Sequence, residues 1–488
     1  MISFVKNHIN FLEPDWLTTL INNAKNHLEF VWLFIPQISS KETCYMTIEP
    51  RLASGMRDYL PEDMIPRQKM LDTIRTVFES FGFVPLDTPG LEVEEILTGG
   101  DPNFRMQIFR AGLRGGDEDK LALRFDLTVP LARVVAQYGD KVERPFKRYQ
   151  MGKVWRGEKP QAGRFREFIQ FDVDTIGSSR MAADAEIISL VYETMKALGF
   201  SNFLIKVNNR KILNGLAEQI GFSSEIAPNV LRVIDKLDKI GWEGVSDELS
   251  GELSFSDDQL RALKLFLDFR AGSQREAIDG VRELMSDSET AQEGIRELEE
   301  IMQSLEAMKV PADKWMIDLS VARGLGYYTG PVFETILTDA PEIGSVFGGG
   351  RYDDLVSRFG SASVPAVGVS AGVDRMFVAM TKLGLVAKRR IVSQVMVLNF
   401  EAECRSLCEG LAASLRRDGI STELYLGKEA TLKGQLSFAV KREYPVVIIL
   451  GNSERDKSVA QIKDMRSRKQ KEVALENVSN VVNEILSV

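Results

Sequence analysis

Histidine is almost missing from these 488 residues: the chain has two, His8 and His27, both within the first thirty positions. The rest of the chain therefore has no imidazole for a Ser-His relay, a histidine general base or a His-bound metal. Most hydrolases are excluded, and chemistry must run on Arg, carboxylates, amides, backbone groups and Mg²⁺. Reactions of phosphates fit that inventory, because positioning and charge relief do most of their work. Cysteine is scarce too. Three thiols cannot build a disulfide framework, which suits a reducing, cytoplasmic setting. Cys404 and Cys408 fall four apart on an expected helix, with no histidine or third cysteine near enough for a zinc site. Long apolar runs are absent as well. The longest, Phe30-Val-Trp-Leu-Phe-Ile-Pro36, is too short to span a bilayer, and no membrane partner is expected.

What is present describes a folded chain of several domains: 44% hydrophobic, 27% charged, net charge −9. Residues 1–45 lack arginine and resemble neither a presequence nor a secretory leader. They are expected to be a dispensable extension. Apolar spacing predicts a helix over 64–81, with Pro66 near its start. A proline-containing edge strand is predicted at 83–89, and further strands at 121–125, 146–155 and 168–176. A helix over 182–198 and a strand at 203–207 complete a first sheet-bearing part, 46–208. Residues 209–310 carry Leu, Glu, Asp and Lys at helical spacing and are expected to form a helical insertion. Strands at 314–319 and 332–337 return in a second part of the same sheet, 311–387. From 388 to 488 the pattern becomes β-α-β-α-β-β-α, a separate α/β domain. The fold class is thus α/β and α+β multidomain, with an antiparallel sheet in the first domain. In the last domain 17 Lys and Arg stand against 13 Asp and Glu, 17 − 13 = +4. The remainder is then about −13, so this basic domain suits contact with RNA phosphates and unpaired bases.

Between Arg144 and Arg166 eight basic residues accompany one acid, Glu158. Such a strand–loop–strand segment in an acidic chain points to a polyanion, which Arg grips bidentately. The segment Gly368-Val-Ser-Ala-Gly-Val-Asp-Arg375 runs a strand of small residues into a helix with Arg in its first turn. A cation there opposes the helix dipole unless an anion compensates it. Arg124-Phe-Asp-Leu-Thr-Val-Pro130 offers Asp126 and Thr128, while Gln170 and Asp174 project from one face of a strand. Taken singly these are ordinary polar positions. Two glycine-rich pieces stand apart: Ala322-Arg-Gly-Leu-Gly-Tyr-Tyr-Thr-Gly330 and Gly348-Gly-Gly-Arg-Tyr-Asp-Asp-Leu355. In isolation each would be a turn with a surface Arg. Arg is costly to bury unpaired, however, and Gly allows close approach of a ligand.

These two pieces resemble the histidine-pocket signatures of histidyl-tRNA synthetases. The first usually reads RGLDYYT, so Gly326 stands where Asp is usual and any role of that Asp is lost. Val154-Trp-Arg-Gly-Glu158 with Gly163-Arg-Phe-Arg-Glu-Phe-Ile-Gln170 resembles motif 2 of class II synthetases. The 368–375 segment resembles motif 3, residues 64–89 resemble motif 1, the dimer interface, and Gly55-Met-Arg-Asp-Tyr-Leu-Pro61 is similar to the family's opening. The resemblance covers 46–488. It implies a homodimeric ligase that adenylates histidine with ATP and Mg²⁺, then charges tRNA(His), with an anticodon-binding domain at 388–488.

By that resemblance Arg156 holds the α-phosphate, Glu158 and Arg164 contact the nucleotide, and Arg375 holds the γ-phosphate or stacks on adenine. Asp126, Thr128 and Gln170 take the amino acid's polar backbone groups. Asp174 and a hydroxyl of Tyr327 or Tyr328 hydrogen-bond the ring nitrogens. Arg323 is the expected catalytic arginine, facing Arg156 across the α-phosphate. No protein side chain is assigned to the metal. Two alternatives share the fold: a histidine-sensing regulatory subunit of ATP phosphoribosyltransferase, and a silent tRNA-binding pseudo-synthetase. The first would lack the last domain and the second a motif arginine. Here both are present.

Overall fold

The computed structural model describes residues 49–99, 107–112, 120–159, 165–223, 225–234, 236–321, 327–360 and 363–487. The chain forms two units, residues 1–52 and 53–488. Of the first, residues 49–52 are described; they are exposed and without regular structure.

The second unit is built on a mixed eight-stranded sheet in the order β1-β5-β6-β11-β10-β9-β7-β8. Its strands are β1 (Val84–Pro85), β5 (Phe146–Trp155), β6 (Glu167–Ile176), β7 (Phe203–Asn209), β8 (Trp315–Ile317), β9 (Pro331–Leu337), β10 (Phe347–Arg351) and β11 (Ala366–Gly372). Pairing is antiparallel throughout the middle and parallel at the two ends, β1 with β5 and β7 with β8. A small antiparallel sheet of β2 (Leu91–Val93), β3 (Arg110–Ala111) and β4 (Leu121–Leu123) stands beside it.

Period-two alternation divides the two faces of the sheet. Phe171 and Val173 of β6 and Val367, Val369 and Ala371 of β11 point into the core. There they join helix α1 (Pro61–Ser80), which buries Met70, Leu71, Ile74 and Phe78 at helical spacing. Phe78 meets Phe171 edge-on, with centroids 5.0 Å apart. Pro61 opens α1, and Glu62 and Asp63 in its first turn complement the helix dipole. The helix thus begins before the predicted start, which places Pro66 inside it rather than at its mouth.

The opposite face carries Gln170, Asp172 and Asp174 of β6. They stand directly across from Gly372, Ser370 and Gly368 of β11. Gly348 and Gly350 of β10 continue this face, opposite Ser370 and Gly368. The glycine-rich piece 348–351 is therefore a central strand and not a turn. Its glycines are steric necessities: a Cβ on Gly349 would sit 2.1 Å from the Gly368 carbonyl oxygen. A floor of Gly, Ser and Gly leaves an open hollow above the sheet.

Helix α2 (Glu94–Thr98) and helix α3 (Thr128–Gln137) flank the hollow, and α4 (Met181–Ala197) packs behind the sheet. Among the described residues between β7 and β8 run six α-helices, α5 (Arg210–Ile220), α6 (Ala227–Ile234), α7 (Leu237–Leu253), α8 (Asp257–Leu267), α9 (Gln274–Leu284) and α10 (Glu289–Ala307), and a 3-10 turn at Ala312–Lys314. Ser256, Ser273 and Ser288 cap three of them. The C-terminal part is a five-stranded sheet with helices on both sides and its own apolar core around Val395, Val397 and Ile448.

Candidate active site

The hollow is a cavity of about 820 Å³ over β6, β11 and β10. Asp126, Thr128, Arg156, Glu158, Gln170, Asp174, Tyr327, Tyr328 and Arg375 all line it, so residues scattered over 250 positions come together. Arg164, Arg323 and Gly326 lie outside the described residues.

Asp174 is buried and already engaged. Arg148 Nη2 lies 2.7 Å from its Oδ2, and the Tyr352 hydroxyl donates to its Oδ1. Burial raises its pKa, while Arg148 and the Tyr352 hydrogen bond pull it back. An ionised carboxylate has about four acceptor sites, so capacity for a ligand remains. Asp126 accepts the Val129 backbone N–H at 3.0 Å at the start of α3. Burial raises its pKa too, opposed by that N–H and by Arg156. The Tyr327 and Tyr328 hydroxyls are 3.3 Å apart, and Tyr327 meets the Tyr352 ring edge-on with centroids 6.0 Å apart.

Gln170 donates through Nε2 to Ser370 Oγ at 3.0 Å. Its Oε1 and the Oδ1 of Asp172 are buried without a hydrogen-bond partner among the described residues. Burial pushes the Asp172 carboxyl up to about 7, with Arg148 acting in the opposite direction. Asp172 was not singled out in the sequence. The signal was available: it is the middle residue of the same-face series Gln170, Asp172, Asp174.

Cationic groups gather past the Gln170 end of β6. Register runs from Asp174, opposite Arg148, to Glu167, opposite Trp155, so Arg156 follows at the far end of β5. Its guanidinium lies 4.5 Å from the Phe125 ring centroid and 5.1 Å from that of Phe168, and Nε reaches the Phe125 carbonyl at 3.4 Å. Arg375 is in the first turn of α11 (Val373–Lys382) and donates to the Ser345 carbonyl at 2.9 Å. Beside it, buried Arg67 of α1 donates to Asp374 at 2.6 Å, and the Tyr59 hydroxyl donates to the same carboxylate. Burial and that bond push the Tyr59 hydroxyl up to about 12. The family-like opening is thereby fastened to the start of α11.

The basic segment 144–166 divides on folding. Arg148 is fully buried against Asp174, Lys147 pairs with Glu186 and Lys153 with Glu167. Among its described residues Arg156 is the basic group that lines the cavity. Arg351, the arginine of the second glycine-rich piece, is likewise consumed in building the fold. It is buried, bound to Asp184 and to the Ser178 carbonyl at 3.0 Å.

A family model described as histidyl-tRNA synthetase matches residues 55–376, and an anticodon-binding-domain model matches 394–485. The chain is 39% identical over 457 residues to the histidine–tRNA ligase of Gloeobacter violaceus, covering 88% of this chain and 97% of that one. It is 41% identical over 426 residues to the histidine–tRNA ligase of Wolinella succinogenes, covering 87% and 96%. The crystal structure of histidyl-tRNA synthetase from Nostoc sp. PCC 7120 superposes with a TM-score of 0.80 at 31% identity, covering 90% of this chain and 100% of that one. With similarity of this degree along nearly its whole length, the chain belongs to the histidyl-tRNA synthetase family, among the class II aminoacyl-tRNA synthetases.

Proposed function

We propose that the cavity seats histidine over β6 and ATP over Arg156 and Arg375, as the first step of histidine–tRNA ligation. Histidine and ATP give histidyl-adenylate and pyrophosphate, and the acyl group then passes to the 3′ end of tRNA(His). The observation that carries this assignment is that one cavity is lined both by carboxylate, amide and tyrosine side chains and by Arg156 and Arg375.

Asp126, Thr128 and Gln170 receive the ammonium and carboxylate of the amino acid. Asp174 and a hydroxyl of Tyr327 or Tyr328 meet the ring nitrogens. Such a pocket rejects apolar isosteres, because its buried polar groups would be left unpaired. The amino-acid carboxylate is already an anion, so its attack on the α-phosphorus needs no general base. A new O–P bond forms and pyrophosphate leaves with the electron pair of the broken one. Arg156 relieves charge on one side of that phosphorus and Arg323 on the other, which fits a chain body without histidine. Glu158, Arg164 and Arg375 hold the rest of the nucleotide. Mg²⁺ bound to the β- and γ-phosphates would neutralise their charge. Among the described residues no group of three His, Cys, Asp or Glu forms a metal cage. An ion carried by phosphates needs only one or two carboxylates, and Glu334 in the cavity lining would be placed to offer one.

Residues 388–488 bind the tRNA, residues 46–208 with 311–387 do the chemistry around the insertion 209–310, and residues 1–45 are dispensable. Dimerisation uses the sheet edge at β1, where Val84 and Pro85 are exposed. Among the described residues no helix is long and apolar enough to cross a membrane. Cys404 and Cys408 are buried free thiols, which suits the cytoplasm. The test is histidine-dependent ATP–pyrophosphate exchange: Arg156→Ala and Arg323→Ala should each lose on the order of 10²–10³ in rate. Exchange within a few-fold of wild type would remove the arginine from the reaction.

A further inference from the structure

Gln170, Ser370 and Asp172 form a short chain of polar groups under the amino-acid part of the cavity. Asp172 and Ser370 face each other across the β6–β11 pair, so the serine hydroxyl lies beside the carboxylate and works against the effect of burial on its pKa. An ionised carboxylate can only accept. The Ser370 proton must therefore go to Asp172, which leaves Ser370 Oγ as acceptor for its other neighbour. That neighbour is then the NH₂ side of the Gln170 amide, at 3.0 Å. Gln170 Oε1 is consequently turned away from Ser370, buried and without a hydrogen-bond partner among the described residues.

We propose that Asp172 and Ser370 act as a positioning relay that fixes the direction of the Gln170 amide, so that Oε1 is presented to the α-ammonium group of the bound amino acid. This rests on the assignment of Gln170 to the amino acid. The relay has one polarity only while Asp172 is charged. A protonated Asp172 can donate to Ser370, whose own proton is then free to turn toward Gln170 and accommodate the reversed amide.

The charged groups around Asp172 set where that change falls. Arg148 approaches from β5, Asp174 from β6 itself, and Asp126 from the segment before α3. Arg124 and Tyr327 also interact with it. Burial outweighs Arg148, and the group titrates at about 7.

The KM for histidine in pyrophosphate exchange, measured from about pH 6 to pH 8.5, tests the relay. Asp172→Asn mimics the protonated acid. It should raise the histidine KM about 3- to 10-fold at pH 8, the effect of one hydrogen bond, and should match wild type near pH 6. The ratio of the two profiles cancels the titration of histidine's own imidazole. Ser370→Ala keeps the charge but breaks the chain, and should raise the histidine KM at pH 8 with the ATP KM unchanged. Gln170→Ala separates the two assignments. If it raises the histidine KM while Asp172→Asn and Ser370→Ala do not, the relay is wrong and the pocket stands. If Gln170→Ala has no effect on the histidine KM, both fall. Should Asp172→Asn not fold, Ser370→Ala decides alone: a histidine KM equal to that of wild type overturns the proposal.

Discussion

Replacing Gly368 with Ala tests whether the cavity floor is held open by glycine and braced by one buried ion pair. A Cβ at position 368 would lie 1.9 Å from Asp174 Oδ1 and 2.8 Å from the Val173 carbonyl oxygen. Neither neighbour is the far end of a flexible chain. The carbonyl belongs to the paired strand, and Asp174 is held by Arg148 at 2.7 Å and by Tyr352. Simple overpacking of a core costs about 1–3 kcal/mol. If Asp174 yields instead, Arg148, which is 0% exposed, loses its carboxylate. Breaking a buried pair costs about 3–5 kcal/mol. The two costs are alternatives rather than a sum, and retreat of Asp174 is the only route that spares the strand register. We therefore expect a loss of about 3–5 kcal/mol in the urea-induced unfolding of the catalytic part, together with a raised histidine KM. Gly410, in the helix Arg405–Arg417, is the control. A Cβ there meets nothing within 4 Å, so Gly410→Ala should stabilise by about 0.5–1 kcal/mol. A Gly368→Ala protein within about 1 kcal/mol of wild type, with unchanged histidine KM, would show that Asp174 moves freely and would refute the braced floor.

Two further outcomes follow from buried charges. Asp172 carries a carboxyl near 7 against an ordinary 3.8; as pH rises the unfolded chain loses this proton first, so stability falls between about pH 4 and 7 and stays lowered above. Asp172→Asn should therefore melt higher than wild type above pH 7 and not at pH 4. The upper bound is about 4 kcal/mol, and equal melting temperatures at pH 8 would contradict it. Arg67→Met leaves Asp374 buried with Tyr59 alone and should cost about 3–5 kcal/mol. It should also raise the ATP KM more than the histidine KM, because Asp374 adjoins Arg375; equal effects on both substrates would sever that link.

The sequence by itself determined the elements whose periodicity is unambiguous. β5 was expected at 146–155 and is found at Phe146–Trp155; β6 and α4 also lie within a residue or two of expectation. Their apolar faces repeat at 2 or 3.6 residues and bury against one core, so local pattern and tertiary packing agree. The strand Gln470–Ala474 was missed because it lies at the sheet edge and is largely exposed, with no apolar alternation to read. The α3 helix was missed because Thr128, Val129 and Pro130 do not favour a helix interior; burial of Leu131, Ala132 and Val135 decided it. Motif resemblance named Asp126, Gln170, Asp174, Arg156 and Arg375, which the fold brings to one cavity. Tertiary structure alone decided which charges face the cavity and which are consumed in building it. Arg148 and Arg156 read alike in a basic segment. Strand register places one opposite Asp174 in a buried floor and carries the other past the strand end into the open cavity. Register is a property of paired strands, and a single strand's sequence does not contain it.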